Sequence, residues 1–171
     1  MNDSSKLKRR WKTKAGLEAV VIFVGGSHHC GYVHVPDGHP LAGADYGTAS
    51  NCGVGAHGGL TFSATPKECS GELSKAKGGM WFGFDCNHYC DLSLRASHLA
   101  SPGATFRDVD FCVNECESMA SQLKAVGPLL YIVADHFDLH LTDRSPDPEN
   151  DGRIVVRKFD TQEQAESLLK P

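Results

Sequence analysis

Between Val109 and Leu123 the apolar side chains fall at 109, 112, 113, 116, 119, 120 and 123, which is the spacing of one helical face, while Glu115, Glu117 and Ser121 lie off it. Gly127 and Pro128 follow as a stop signal. A long amphipathic helix must bury its stripe against another layer. The other apolar segments are short and rich in branched and aromatic residues, so that layer is a sheet.

Residues 18 to 24 form a nearly continuous β-branched run, and Gly25, Gly26 and Ser27 supply turn chemistry before Cys30 to Val35, which predicts a β-hairpin. Leu60 to Ser63 and Met80 to Asp85 read as two further, adjacent strands, for a sheet of about four members. From Pro36 to Gly59 the chain is rich in Gly, Pro, Asp, Asn and Ser and reads as one long loop, the kind of segment that carries function in compact domains.

Beyond the helix, Leu129 to Ala134 and Arg153 to Phe159 read as strands. Phe137, Leu139 and Leu141 alternate with polar residues, and Asp160 with Glu163 has capping-box spacing for a last helix through Leu169. The expected fold class is α+β: a mainly antiparallel sheet packed on one main helix, with a C-terminal ββα element. The expected division is a flexible basic leader over 1–14, a core domain over 15–127, and an appendage over 128–171 that can belong to the same domain.

A chain of 171 residues can bury a sizeable core without staples, and 40% hydrophobic with 22% charged residues is ordinary globular composition. Seven cysteines, an odd and scattered set, with no secretory leader in front of them, predict reduced thiols in a cytoplasm. The apolar stretch AVVIFV is far below the roughly 20 residues that span a bilayer, so no membrane association is expected.

Residues 1 to 14 hold six Lys or Arg and one Asp, a balance of +5, which leaves −9 on the rest of a chain whose net charge is −4. Polymeric nucleic acid is gripped mainly through phosphate neutralisation, so an acidic body argues against it as a partner. Monomer and homo-oligomer are both compatible with this composition.

The densest chemistry lies in AHGGLTF at 56 to 62 and WFGFDCNHYCD at 81 to 91. In the first, His57 precedes Gly58 and Gly59, which let backbone approach a ligand and expose amide donors. In the second, Asp85, His88 and Asp91 recur at intervals of three beyond an aromatic strand and cluster if the chain turns there. Imidazoles with carboxylates either act as acid and base or hold a divalent metal.

His57, Asp85 and His88 are therefore the expected catalytic residues. His39, Gly58, Gly59, Thr61, Trp81, Tyr89 and Asp91 are the expected ligand contacts, with the aromatic rings offering flat surfaces to a base. The bland alternatives are that Asp85 caps a turn, that His88 is a satisfied histidine and that Trp81 is core. Structural zinc fails on pattern, since Cys112 and Cys116 fall on the apolar helix face, where free cysteine acts as a small hydrophobe. His136, Asp138 and His140 share one strand face and read as a solvated edge. None of GxxxxGK[ST], GxSxG and HExxH occurs.

Taken together, CGYVHVPDGHPL, HGGLTF and WFGFDCNHYCD resemble a family of small proteins encoded by bacteriophages and prophages, whose recurring words look like GYV-VP-GHP, HGGLT and W-FGFDC-H-GD. The resemblance covers residues 15 to 125 and singles out His39, His57, Asp85, Cys86, His88 and Asp91 without giving them roles. Cys90 stands where the family pattern has glycine.

The resemblance implies a phage origin and the cytoplasm of an infected bacterial host. With the polar cluster, it leads to the expectation of a counter-defence accessory protein that binds and sequesters or cleaves a small nucleotide-derived molecule, such as a host immune signal. The alternatives are a metal-dependent hydrolase of a small phosphorylated substrate and a direct protein inhibitor of a host enzyme.

Overall fold

The computed structural model describes residues 5–126 together with the strand residues 129–132 and 155–158. Its central feature is an antiparallel sheet of five strands in the order β1-β2-β3-β5-β4: β1 (Lys6–Lys12), β2 (Glu18–Val24), β3 (His28–Val35), β4 (Phe62–Ala64) and β5 (Met80–Asp85). Two α-helices lie in this part, the short α1 (Tyr46–Asn51) and the long α2 (Val109–Ala125), which packs on β3 and β2, besides 3₁₀ turns at Leu73–Lys75 and Leu94–Leu99. The chain divides into two units, 1–125 and 126–171. In the second, β6 (Leu129–Ile132) and β7 (Val155–Lys158) pair antiparallel. The alternating stretch around Phe137, the triplet His136, Asp138 and His140, the last helix and the stop signal at Gly127 and Pro128 lie outside the described residues.

The expected hairpin is β2 with β3. Gly25 and Gly26 both take positive φ, 57° and 70°, and Ser27 N–H donates to Val24 O at 2.9 Å, the backbone a tight twisted turn demands. The α+β class and the single main helix are as expected, but the sheet has five members rather than about four. The added one is a correction: the basic segment expected to be a flexible leader supplies β1, paired with β2 from Lys6↔Phe23 to Lys12↔Glu18. Trp11 explains why it docks, since its indole N–H donates to Glu117 Oε1 on α2 at 2.8 Å. The long loop also holds more order than expected, because Asp45 caps α1 through Thr48 N–H at 2.6 Å.

Strand alternation sends side chains to two faces. On one, Val20, Ile22 and Trp81 pack with Leu73, Tyr32 and Phe62. Trp81 is fully buried and its indole N–H is satisfied by Leu73 O at 2.9 Å, so it is a core residue and not a ligand platform. On the other face lies α2, whose Cys112, Cys116, Met119, Ala120 and Leu123 are all at 0% exposure, the stripe expected from the sequence.

Close approach of α2 to the sheet depends on Gly31. A Cβ there would lie 2.5 Å from the Phe84 ring and 2.8 Å from Cys116 Sγ, both buried. Gly31→Ala is therefore expected to destabilise the protein by about 1–3 kcal/mol through overpacking. In urea unfolding the midpoint should fall with an unchanged slope, and an unchanged midpoint would show that the interface yields without strain.

Candidate functional site

The His57 loop is held by the polar side of α2. Gly55 N–H donates to Gln122 Oε1 at 2.7 Å and His57 N–H to Glu115 Oε2 at 2.8 Å. The His57 ring then meets the Phe111 ring edge-on, with centroids 5.1 Å apart. Residues 86 to 91 leave the end of β5, and Cys86 N–H still bonds His29 O at 3.0 Å, prolonging the register with β3. Beyond a turn closed by Asp91 N–H on His88 O at 2.9 Å, the chain pairs with the segment before α2. Leu92 N–H donates to Thr105 O and Thr105 N–H to Cys90 O, both at 3.0 Å. That short ladder sets Arg107 beside Asp91.

Three segments thus meet on one carboxylate. Asp91 Oδ2 accepts from His57 Nε2 at 2.8 Å, His88 N–H at 3.1 Å and His88 Nδ1 at 3.1 Å, while Oδ1 accepts from Arg107 Nε at 2.9 Å. The Asp91 side chain is 1% exposed, against 18% for His57, 32% for His88 and 26% for Arg107. A buried carboxylate carries two imidazoles that reach solvent.

Burial pushes the Asp91 pKa up, but bonds from His57, Arg107 and His88 outweigh it and hold the group well below the usual carboxylate range. Asp91 is therefore ionised and accepts. It follows that His57 Nε2 and His88 Nδ1 carry the protons in these bonds, which leaves His57 Nδ1 and His88 Nε2 with the lone pairs when the rings are neutral. The two rings stand edge to face with centroids 5.2 Å apart. One possible donor atom from each of His57, His88 and Asp91 lies within 4.8 Å of the others, a grouping a metal ion could share.

Gly58 makes room for this. At φ 69° it takes a conformation L residues rarely adopt, and a Cβ there would sit 2.0 Å from His88 Cε1. Its role is to seat the His88 ring. The amide-donor role expected of the glycine pair finds less support, because Gly59 N–H is already spent on Ala56 O at 2.9 Å.

The other expected site residues separate. Asp85 accepts from Thr61 Oγ1 at 2.9 Å and from Asn87 N–H at 3.0 Å, so it caps the turn after β5 and bonds neither imidazole. Asp91 takes the place expected for Asp85. His39 is a staple: its Nδ1 accepts from Leu41 N–H at 3.0 Å, so the proton is on Nε2, which donates to Leu123 O at 3.0 Å. Burial lowers its pKa, and no pocket-facing role remains for it. Tyr89 is 82% exposed beside His88 in the chain, available as a flat surface.

Arg107, Phe111 and Glu115 were invisible as site residues in the sequence. The spacing of four between Phe111 and Glu115 on α2 was the available signal for those two, whereas Arg107 precedes the helix; its guanidinium lies over the Phe111 ring, 4.7 Å from its centroid. Cysteine plays no part among the ligands: Cys86 and Cys112 are buried with sulfurs 3.6 Å apart, and that contact together with burial raises the Cys86 thiol pKa. A cleft of about 430 Å³ lies among Arg10, Trp11, Lys12, Leu17, Glu18 and His34, with none of the cluster residues in its lining. Arg10 in its lining pairs with Glu18 and with Glu72, although its Nε has no hydrogen-bond partner, and the imidazole cluster does not open into this volume.

No family model, no curated protein and no solved structure matches the chain. Among the described residues no helix is long and apolar enough to cross a membrane.

Because the folded pKa of Asp91 lies below its unfolded value of about 3.9, its stabilising contribution is complete above that value and is lost as pH falls toward the folded one. Asp91→Asn should lower stability at neutral pH by up to about 3–5 kcal/mol by leaving Arg107 unpaired. It should also flatten the loss between about pH 5 and pH 2. Urea unfolding across that range checks both, and parallel profiles for the two proteins would contradict the assignment.

Proposed function

We propose that this protein binds and cleaves a small nucleotide-derived molecule at the cluster of His57, His88 and Asp91. The observation that carries the reading is one buried, ionised carboxylate fixing two solvent-reaching imidazoles, with Arg107 balancing its charge. Such a pair divides the labour of hydrolysis. One imidazole takes the proton of an attacking water, the water oxygen bonds phosphorus, the bond to the leaving oxygen breaks, and the second imidazole, protonated, gives that oxygen its proton. Asp91 keeps both rings in the tautomer and orientation this requires.

The substrate class follows from the surroundings. Tyr89 offers a base an exposed ring next to His88, and Arg107 and the imidazoles suit a phosphate. A small ligand is favoured over a polymer by the acidic body, and the basic residues of β1 are partly engaged already, Arg10 with Glu18 and Lys8 over the Phe23 ring. The resemblance to phage-encoded proteins supplies the setting: an infected bacterial cell, in which the molecule removed is a host immune signal.

Thermal shift with a panel of cyclic and ADP-ribose-type nucleotides, followed by chromatography of the products, tests the reading. A true ligand at a hundredfold excess over its Kd stabilises by about 2.7 kcal/mol. His57→Ala and His88→Ala should each cut turnover by about 100-fold or more while the circular dichroism stays native, and Asp85→Asn should retain activity. A panel in which nothing raises the Tm would overturn the proposal.

A further inference from the structure

We infer that His57, His88 and Asp91 form a three-donor site for a divalent cation of the zinc class, with one coordination position left open to water; the inference rests on reading this cluster as the working centre of the protein. The donor set decides the class of ion. Two imidazoles and one carboxylate, without thiolate, suit zinc or its first-row neighbours, whereas calcium and magnesium call for oxygen cages. Three protein ligands with a vacant fourth position is the pattern of hydrolytic zinc.

The geometry is close to what that ion needs. Asp91 Oδ2 lies 2.8 Å from His57 Nε2 and 3.1 Å from His88 Nδ1. Ligands at bond lengths of about 2.0–2.1 Å around a tetrahedral ion stand about 3.3 Å apart, so these pairs need to open by only a few tenths of an ångström. Both rings reach solvent and can give by that much, while the carboxylate is fixed from behind: Arg107 Nε holds Oδ1 at 2.9 Å, and Oδ2, which also accepts the His88 N–H at 3.1 Å, keeps a lone pair for the ion. Outer partners of this kind orient metal ligands generally.

The protons balance without release. In the metal-free protein each neutral ring donates to Asp91. On binding, the proton moves to the ring's other nitrogen, His57 Nδ1 or His88 Nε2, and the nitrogen facing Asp91 offers its lone pair to the cation. A water in the open position is then acidified by the ion, which takes over the activation that falls to an imidazole in its absence, and with both rings bound to the ion the leaving oxygen takes its proton from solvent rather than from an imidazolium.

The test is calorimetric titration of the chelator-treated full-length protein with Zn²⁺, paired with the absorption spectrum of its Co²⁺ form. The expected result is one ion per chain, a cobalt spectrum of nitrogen and oxygen ligands without a thiolate charge-transfer band, and affinity reduced about 100-fold or more in His57→Ala and in His88→Ala. Asp91→Asn adds a third arm, and the histidine variants keep the test decisive where it fails to fold. No stoichiometric binding, binding unchanged in both histidine variants, or a thiolate band would each overturn the inference. A bound ion with no nucleotide ligand would defeat the proposed substrate alone, and a nucleotide ligand with no bound ion would defeat the metal site alone.

Discussion

The Asp91 carboxylate is the group on which three distant parts of the chain agree. Taking an ionised carboxylate out of water costs several kcal/mol unless charge and hydrogen bonds replace the lost solvent. Here a guanidinium, two imidazoles and a backbone amide replace it. The replacement works only if the loop before β4, the turn after β5 and the segment before α2 all arrive together. Removing one partner leaves the others with a charge they cannot solvate, so the cluster specifies local structure as strongly as it supplies reactivity.

The long helix does two jobs with two faces. Its apolar stripe covers the sheet, and the tight fit at Gly31 sets how closely. Its polar side is a rail for the loop that precedes β4, gripping it at Glu115, Gln122 and the Leu123 carbonyl. A loop rich in glycine would otherwise have many conformations of similar energy. Three polar anchors spaced along one rigid element select among them, and His57 is placed as a result.

What the sequence made legible is what periodicity reports. The helical stripe, the hairpin and the strand from Met80 to Asp85 follow from spacing and turn chemistry, and each is where those rules put it. The basic first segment misled because composition was weighed above pairing: it is an edge strand, and the Trp11 indole and the Lys14 amide tie the segment to Glu117 of α2. In the candidate site the residue types were legible and the partnerships were not. Asp85 and Asp91 are both three residues from His88, and only the direction in which the chain turns after β5 decides which of them meets the imidazoles. Arg107 could not be found at all, since it arrives through a ladder at Thr105 that has no sequence signature.

The strand order carries a consequence for how the domain assembles. Strands β1, β2 and β3 join their neighbours through short connections, so this half of the sheet forms from contacts that are close in sequence. By contrast β5 docks on β3 only after the whole segment between Val35 and Met80 has been closed into a loop, an entropic toll that local pairing does not incur. His57 lies within that loop and His88 and Asp91 lie beyond it, so the cluster needs the closure to come together. The reactive centre is therefore a late product of folding, and a nascent chain holding only its first three strands carries none of it.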